Sequence, residues 1–299
     1  MGWSAVVTIA VPAVRTDPPA PELVDVAAGH RHRRSVWARI PRPVRRMMGP
    51  ALIVAVWAVG SATGSLNPDL FPPPSAVATT AWRLLGDGQL ALHVGASATR
   101  VLTGTILGIA LGVLLAVLAG LTRTGEDLLD WTMQILKAVP NFALTPLLII
   151  WMGIGEGPKI VLITLGVAIA IYINTYSGIR GVDQQLVEMA QTLGARRRTL
   201  ITHVILPGAM PNFLVGLRLG LSSAWLSLIF AEMINTTEGI GFLMSRAQTN
   251  LQFDVSLLVI VIYAVAGLAS YALVRVLERV LLSWRNGFTG FDTGFNGAA

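Results

Sequence analysis

Four of the charged side chains inside long apolar stretches of the sequence stand out: Arg100, Lys137, Arg218 and Glu232. Ionisable side chains are costly inside a membrane, so each is a functional hypothesis by default. Lys137 and Arg218 are predicted at similar depth, where two like charges repel unless one anion serves both, and this predicts a pathway for an anionic solute. The alternative is that each side chain extends toward the cytoplasm or bonds to free carbonyls near Pro140.

Arg100 and Glu232 carry opposite charges and are predicted at similar depth near the outer ends of their runs. We predict that they lie close enough to pair, against the alternative that Arg100 reaches out to the membrane surface. Other polar side chains in the runs are candidates to line the pathway, although each is individually more typical of bonds between helices. They are Asn141, Tyr172, Asn174, Ser222, Ser223 and Trp225.

A polar and basic passage, Glu188 to Pro207, separates two of the apolar runs. Its first apolar residues fall on one face of a helix, and Gly194 supplies the left-handed position that ends such a helix. Three arginines from Arg196 onward open a second helix, which Pro207 is predicted to stop. A helix-glycine-helix unit with an apolar face and arginines is typical of a docking element.

The chain that positions these residues is predicted to be an all-α polytopic membrane protein. Its residues are 54% hydrophobic and 13% charged, whereas soluble domains carry about 25% charged residues. About six runs approach the ~20 apolar residues that cross a membrane. The predicted spans are 47–64, 97–121, 129–152, 159–177, 210–235 and 255–282.

These spans divide the chain into a membrane domain over 47–285, with cytoplasmic helices at 183–207, and two tails. Residues 1–46 are predicted to be a basic and partly disordered cytoplasmic tail that contacts lipid and not nucleic acid. Residues 286–299 form a C-terminal tail. Glycines recur every four residues at 104, 108 and 112 and at 216 and 220, which predicts close helix packing within one subunit or across a dimer.

Basic residues fix the orientation, because cytoplasmic flanks retain Lys and Arg. An even number of spans puts both termini on one side. If that side is the cytoplasm, it holds the basic tail, Arg180 and the arginines at 196–198. The opposite side has only Arg83, Arg100, Lys159 and Arg246. The Glu188 to Pro207 passage is therefore predicted to face the cytoplasm.

The same passage matches the EAA motif of permeases in ATP-binding-cassette (ABC) importers at Glu188, Ala190, Gly194, Leu206 and Pro207. Apolar residues replace the usual Ala at position 189 and the usual Ile at 204. The flanking segments LTRTGEDLLDWTMQILKAVPNFALTPLLIIWMGIGEGPKI and GLRLGLSSAWLSLIFAEMI are similar to the nitrate, taurine and aliphatic-sulfonate branch of that family. The resemblance covers roughly 68–284.

This resemblance implies a type I importer (MetI-like) permease fold in the bacterial cytoplasmic membrane. It also implies a homodimer, two cytoplasmic ATP-binding subunits that hold ATP and Mg, and an extracytoplasmic solute-binding protein, with no cofactor on this chain. The solute would be an anion such as a sulfonate, taurine or nitrate, or alternatively a pyrimidine- or flavin-like compound. The implied ATPase contacts are Glu188, Met189, Ala190, Gly194, Ala195, Arg196, Leu206 and Pro207.

The sequence has no motif that would support catalysis on this chain. A phosphate-binding G-x-x-x-x-G-K-[ST] loop, an H-E-x-x-H pair, a G-x-S-x-G elbow and cysteine are all absent. An ion-coupled secondary carrier is the alternative in another class, but such carriers use intramembrane acids and internal repeats, and Glu232 is the clearest of the few acidic residues inside the predicted spans. A membrane scaffold would not need the docking element.

Overall fold

A computed structural model of the protein describes residues 42–234 and 236–283. The predicted tails lie outside these ranges, except that the first helix begins at Arg42. Within the described residues every regular element is helical, which confirms the all-α prediction. The helices are α1 Arg42–Ala62, α2 Pro74–Gly86, α3 Gln89–Leu121, α4 Arg123–Ala138, α5 Thr145–Met152, α6 Glu156–Arg180, α7 Gln184–Thr192, α8 Arg197–Leu200, α9 Leu206–Ile234, α10 Ile240–Thr249 and α11 Phe253–Leu281.

Four of the described helices are long and apolar enough to cross a membrane: α3, α6, the continuous helix Arg197–Ile234, and α11. A fifth span results if α4 and the segment Asn141–Met152 are taken together across their bend. The apolar part of α1, Met47–Ala62, is shorter than these helices. The first of the six predicted spans therefore stays a prediction.

The predicted span 129–152 is broken in the structure. Helix α4 ends at Ala138, a 3₁₀ turn covers Asn141–Leu144, and α5 then leaves at 90° to α4. Pro140 explains the break, because proline disfavours the helical conformation of the residue before it, and Val139 is extended with φ −81° and ψ 125°. Pro146 stands in the first turn of α5, where its missing N–H costs nothing.

Helix α6 is the centre of the bundle and packs between α3 and α9. The glycine stripe of α3 lies against Ile163, Val167 and Ile171, which are completely buried. A Cβ at Gly108 would come within 2.6 Å of Val167, so the helix axes could not approach as they do with a larger residue. The stripe at Gly216 and Gly220 faces α6 as well. Both stripes are therefore used for packing inside one subunit.

Candidate functional site

A cavity of about 370 Å³ lies beside the break between α4 and α5. The end of α4, the 3₁₀ turn, and one face each of α6 and α9 form its lining. Most of the lining is apolar and includes Phe142, Leu219 and Leu226, which are 45–55% exposed. The break therefore places irregular backbone beside a cavity, which is where a membrane protein tolerates it.

Polar groups converge at one part of this cavity. Asn141 Nδ2 donates to the Leu162 carbonyl at 2.9 Å and to Ser227 Oγ at 2.7 Å. A Cβ at Gly166 would meet Ser223 Oγ at 2.6 Å and Asn141 Nδ2 at 2.8 Å, so only glycine lets these side chains meet over α6. The Asn141 Oδ1 atom is buried and accepts no hydrogen bond from the described residues.

The structure separates the predicted pathway residues into two groups. Lys137, Asn141 and Asn174 line the cavity. The prediction that Lys137 and Arg218 serve one anion is wrong for Arg218, which instead pairs with Glu278 and lies over the ring of Tyr271, 5.3 Å from its centroid.

Ser222 and Trp225 also lie away from this cavity. Ser222 Oγ bonds to the Arg218 carbonyl at 3.2 Å, and Trp225 Nε1 donates to Ser270 Oγ of α11 at 2.9 Å. Their positions around α9 explain why these residues do not line the cavity, because each residue advances about 100° around the helix axis. Arg218 and Trp225 thus point toward α11, while Ser223 and Ser227 point toward α6 and α4.

Sequence reasoning missed Ser227 and Gly166, although it singled out Ser223. A signal was present in the helical spacing. Gly216 and Gly220 mark the face of α9 that approaches a neighbour, and Ser227 follows Ser223 by one turn on nearly the same face. Had the candidates on α9 been limited to residues on that face, Arg218 would have been excluded.

The predicted pair of Arg100 and Glu232 forms about three turns after the start of α3 and in the last turn of α9, on the side predicted to face outward. Arg100 Nη1 lies 2.7 Å from Glu232 Oε1, and the two side chains are 8% and 0% exposed. Arg100 also binds Glu156 through Nε at 2.5 Å and Nη2 at 2.9 Å, a bidentate arrangement. Lys159, on the next turn of α6, donates to Glu156 at 2.9 Å. The sequence analysis did not identify Glu156, whose spacing of three residues from Lys159 was the available signal.

Glu232 holds the segment between α9 and α10 as well as Arg100. Its carboxylate accepts hydrogen bonds from Ser97 Oγ and from the Gly241 N–H, each at 2.8 Å. A Cβ at Gly241 would come within 2.6 Å of Glu232 Cβ, so the chain passes directly beside this side chain. The buried charge is therefore compensated by an arginine, a hydroxyl and a backbone amide, as a buried carboxylate requires.

The passage predicted to dock an ATPase forms two short helices joined at Gly194. Asp183 caps α7 by accepting from the Gln185 N–H at 2.9 Å. At the other end the Gly194 N–H bonds to the Gln191 carbonyl and the Ala195 N–H to the Ala190 carbonyl, which is a Schellman motif. Gly194 has φ +78° with open space around it, so its requirement for glycine is conformational and not steric.

The apolar face of this element is exposed in the subunit. Leu186, Met189 and Leu193 are 49%, 56% and 79% exposed. Glu188 is exposed and accepts from Gln184 Nε2 one turn earlier, while Ala190 and Ala195 are partly buried. Arg196 is exposed and immediately precedes α8. A row of exposed apolar residues beside a polar helix face is typical of a surface that a partner covers.

The prediction that Pro207 stops the second helix is wrong. The helix runs on from Arg197 to Ile234 through a π turn at Ile201–Ile205, in which the Leu206 N–H bonds to the Ile201 carbonyl. A proline ring inside a regular helix clashes with the carbonyl four residues earlier, and a wider π turn relieves that clash. Leu206 and Pro207 are both partly buried at the start of α9. The docking element is therefore continuous with a membrane-spanning helix.

A second set of contacts connects the docking element to the cavity. Arg180, at the end of α6 and just before α7, pairs with Glu126 in the first turn of α4. Tyr176 Oη donates to the same carboxylate at 2.7 Å. Lys137 lies about three turns farther along α4, at the cavity. Helix α4 thus has one end fixed beside the docking element and the other end at the cavity.

Residues 108–282 match the family described as binding-protein-dependent transport system inner membrane component. A putative aliphatic sulfonates transport permease protein of Bacillus subtilis (strain 168) is 39% identical over 271 residues, covering 88% of this chain and 98% of that protein. The protein of the same description from Escherichia coli (strain K12) is 44% identical over 235 residues, covering 79% and 89%. A chain of an amino acid ABC transporter crystallised with histidines superposes with a TM-score of 0.57 at 14% identity, covering 67% of this chain and 97% of that one.

Proposed function

Because the chain belongs to the family of inner membrane components of binding-protein-dependent transport systems, we propose how its parts perform ATP-driven import. The chain is a membrane-embedded permease subunit with the fold of type I ABC importers, and not an enzyme. The cavity beside Asn141 is part of the pathway for the solute, and the α7–Gly194–α8 element receives the force of the ATPase. The observation that carries this proposal is the exposed apolar face of α7 directly before a membrane-spanning helix.

The partners are those that the family implies. ATP and Mg belong to two cytoplasmic ATP-binding subunits, and the absence of a phosphate-binding loop from this sequence supports that assignment. A second copy of the chain covers the open side of the cavity, where Phe142, Leu219 and Leu226 are exposed. A binding protein outside the bacterial cytoplasmic membrane delivers the solute.

The solute is a small organic anion of the sulfonate class. The names of the similar permeases specify aliphatic sulfonates, and among the described lining residues Lys137 is the one charged side chain of the cavity. A positive charge in a cavity walled by apolar groups raises the local concentration of anions. An uncharged pyrimidine- or flavin-like solute would form no ion pair with Lys137.

Force applied to α7 reaches the cavity through two routes in the structure. One is the continuous helix from Arg197 to Ile234, which carries Ser223 and Ser227. The other passes from Arg180 to Glu126 and along α4 to Lys137. Because packed helices move as rigid bodies between discrete arrangements, displacement of α7 changes the separation of α4 and α9 across the cavity. An ATPase that binds the two arrangements unequally shifts the equilibrium between them.

An ion-coupled carrier is not favoured by this geometry. Such a carrier needs an intramembrane acid that is free to take up a coupling ion. Glu232 is instead occupied by Arg100, Ser97 and the Gly241 amide, and Glu278 by Arg218. Asp130 keeps one buried oxygen without a partner among the described residues. The family match therefore supports the entry of coupling energy through the exposed cytoplasmic element.

Replacing Lys137 with methionine tests the pathway. We expect uptake of an alkanesulfonate by the complete transporter to fall at least tenfold, because a cation that has no ion-pair partner in 42–234 or 236–283 is lost while an apolar stem of similar length is kept. Lys137→Arg should retain most of the uptake. Arg218→Met is the matched control, since Arg218 pairs with Glu278 away from the cavity and its loss should leave the half-saturating solute concentration unchanged. Full uptake by the Lys137→Met variant would contradict the assignment.

A further inference from the structure

We infer that the cavity is a selective binding site for an alkanesulfonate, with the sulfonate on the hydroxyls of Ser223 and Ser227 and its charge matched by Lys137. The hydrocarbon chain lies on the apolar wall. This inference rests on the proposed function and adds to it that the permease itself selects the solute, independently of the binding protein.

The hydroxyl groups of Ser223, which is partly buried, and of Ser227, which is 3% exposed, line the cavity with hydrogens left to donate. Ser227 Oγ accepts from Asn141 Nδ2 at 2.7 Å, which leaves its own hydrogen free. The Ser223 hydroxyl makes no hydrogen bond with the rest of the described chain and lies against Gly166. One helical turn separates these serines, so both hydroxyls face the same part of the cavity and can bind two oxygens of one sulfonate.

The side-chain amide of Asn141 orients the hydroxyl of Ser227. Its Nδ2 is used by Leu162 and Ser227, and its Oδ1 is buried, so the amide presents neither a free donor nor its acceptor oxygen to the cavity. The Asn141 side chain therefore orients Ser227 without repelling an anion. Hydrogen bonds from neutral hydroxyls to a charged acceptor are stronger than those between neutral groups.

The distribution of charge discriminates among organic sulfonates. Lys137 lines the cavity, and no acidic side chain lines it among the described residues. An alkanesulfonate has one negative charge and meets one positive charge. The ammonium group of an aminosulfonate would be desolvated beside Lys137 with no carboxylate to receive it, which costs free energy. The site is thus predicted to disfavour an aminosulfonate with the same head group.

The apolar wall discriminates against small inorganic anions. Phe142 stacks on Phe230, with ring centroids 4.5 Å apart, and both line the cavity with Leu219 and Leu226. Each methylene of a ligand that is buried on this surface strengthens binding about fourfold. Nitrate has no carbon chain to place on this surface, whereas hexanesulfonate buries several methylenes.

Direct binding to the permease without the binding protein tests this inference. The purified complex of permease and ATPase, in lipid nanodiscs, is equilibrated with radiolabelled hexanesulfonate and competed with ethanesulfonate, 2-aminoethanesulfonate and nitrate. We expect saturable binding of hexanesulfonate, at least tenfold weaker competition by 2-aminoethanesulfonate than by ethanesulfonate, and little competition by nitrate. Equal competition by the amino compound would overturn the charge argument, and absence of saturable binding would overturn the site.

Variants of the two serines separate this site from adventitious binding in the membrane. Ser223→Ala combined with Ser227→Ala should weaken hexanesulfonate binding at least tenfold, whereas Ser222→Ala should not, because Ser222 bonds to the Arg218 carbonyl away from the cavity. Unchanged binding in the double variant overturns the inference. Failure of the proposed function is distinguishable, since it would appear as absence of ATP-driven sulfonate uptake by the wild-type transporter with its binding protein.

Discussion

Gly194→Val should reduce ATP-driven uptake, and recovery of the ATPase with the purified permease, at least tenfold. Gly194 has φ +78°, a conformation that costs about 1–2 kcal/mol for an ordinary residue and more for a β-branched one. The strain is relieved by changing the angle between α7 and α8, so the exposed face of α7 no longer fits its partner. Open space around Gly194 means that no clash contributes. The measurement is the ratio of ATPase to permease after affinity purification, with uptake assayed in parallel.

Gly88→Val is the matched control for this substitution. Gly88 also has a left-handed conformation, φ +71°, and open space around it, but it lies between α2 and α3 on the side predicted to face outward. The backbone cost is therefore similar and the location differs. ATPase recovery should be normal for Gly88→Val. Equal loss in both variants would show that general instability, and not the docking element, explains the effect.

Glu232→Ala should lower the free energy of unfolding by about 3–5 kcal/mol, the range for breaking a buried ion pair on one side. The change leaves Arg100 without one carboxylate and removes the acceptor of Ser97 and of the Gly241 amide. The segment that joins α9 to α10 then loses its bond to Glu232 and keeps only its hydrogen bonds to Arg100, His93 and Ser97 of α3 among the described residues. Unfolding of the purified subunit in detergent, followed by tryptophan fluorescence, measures the loss.

Arg83→Ala provides the comparison for an exposed pair. Arg83 is 63% exposed and lies 3.9 Å from Asp254, and pairs of this kind contribute about 0–1 kcal/mol. The two variants therefore remove ionic contacts of very different burial. A loss of similar size in both would contradict the assignment of Glu232 as a central structural charge.

Several features of the structure could be predicted from the local sequence alone. Gly194 ends α7 as predicted from its position after a periodic helix, because the left-handed conformation is a local property of glycine. The charges of Arg100 and Glu232 were also informative, since an isolated charge at that depth is so costly that a partner is required. The glycine repeats predicted close packing, and the structure shows which helix they approach.

Other features depend on the tertiary arrangement. Pro140 and Pro207 have similar local effects, yet the first gives a 90° bend and the second only a π turn within a continuous helix. The sequence does not contain the neighbours that decide between these outcomes. In the same way, the depth of Arg218 was predicted without its direction around the helix, and a rotation of about 100° per residue placed it against Glu278 instead of the cavity.

The most direct test of the account is uptake of labelled hexanesulfonate into proteoliposomes that contain the permease, the ATPase and the binding protein, with ion gradients collapsed by ionophores. We expect uptake that requires ATP and the ATPase and that is lost in the Gly194→Val variant. Uptake that continues without the ATPase, or that follows an imposed ion gradient, would contradict it.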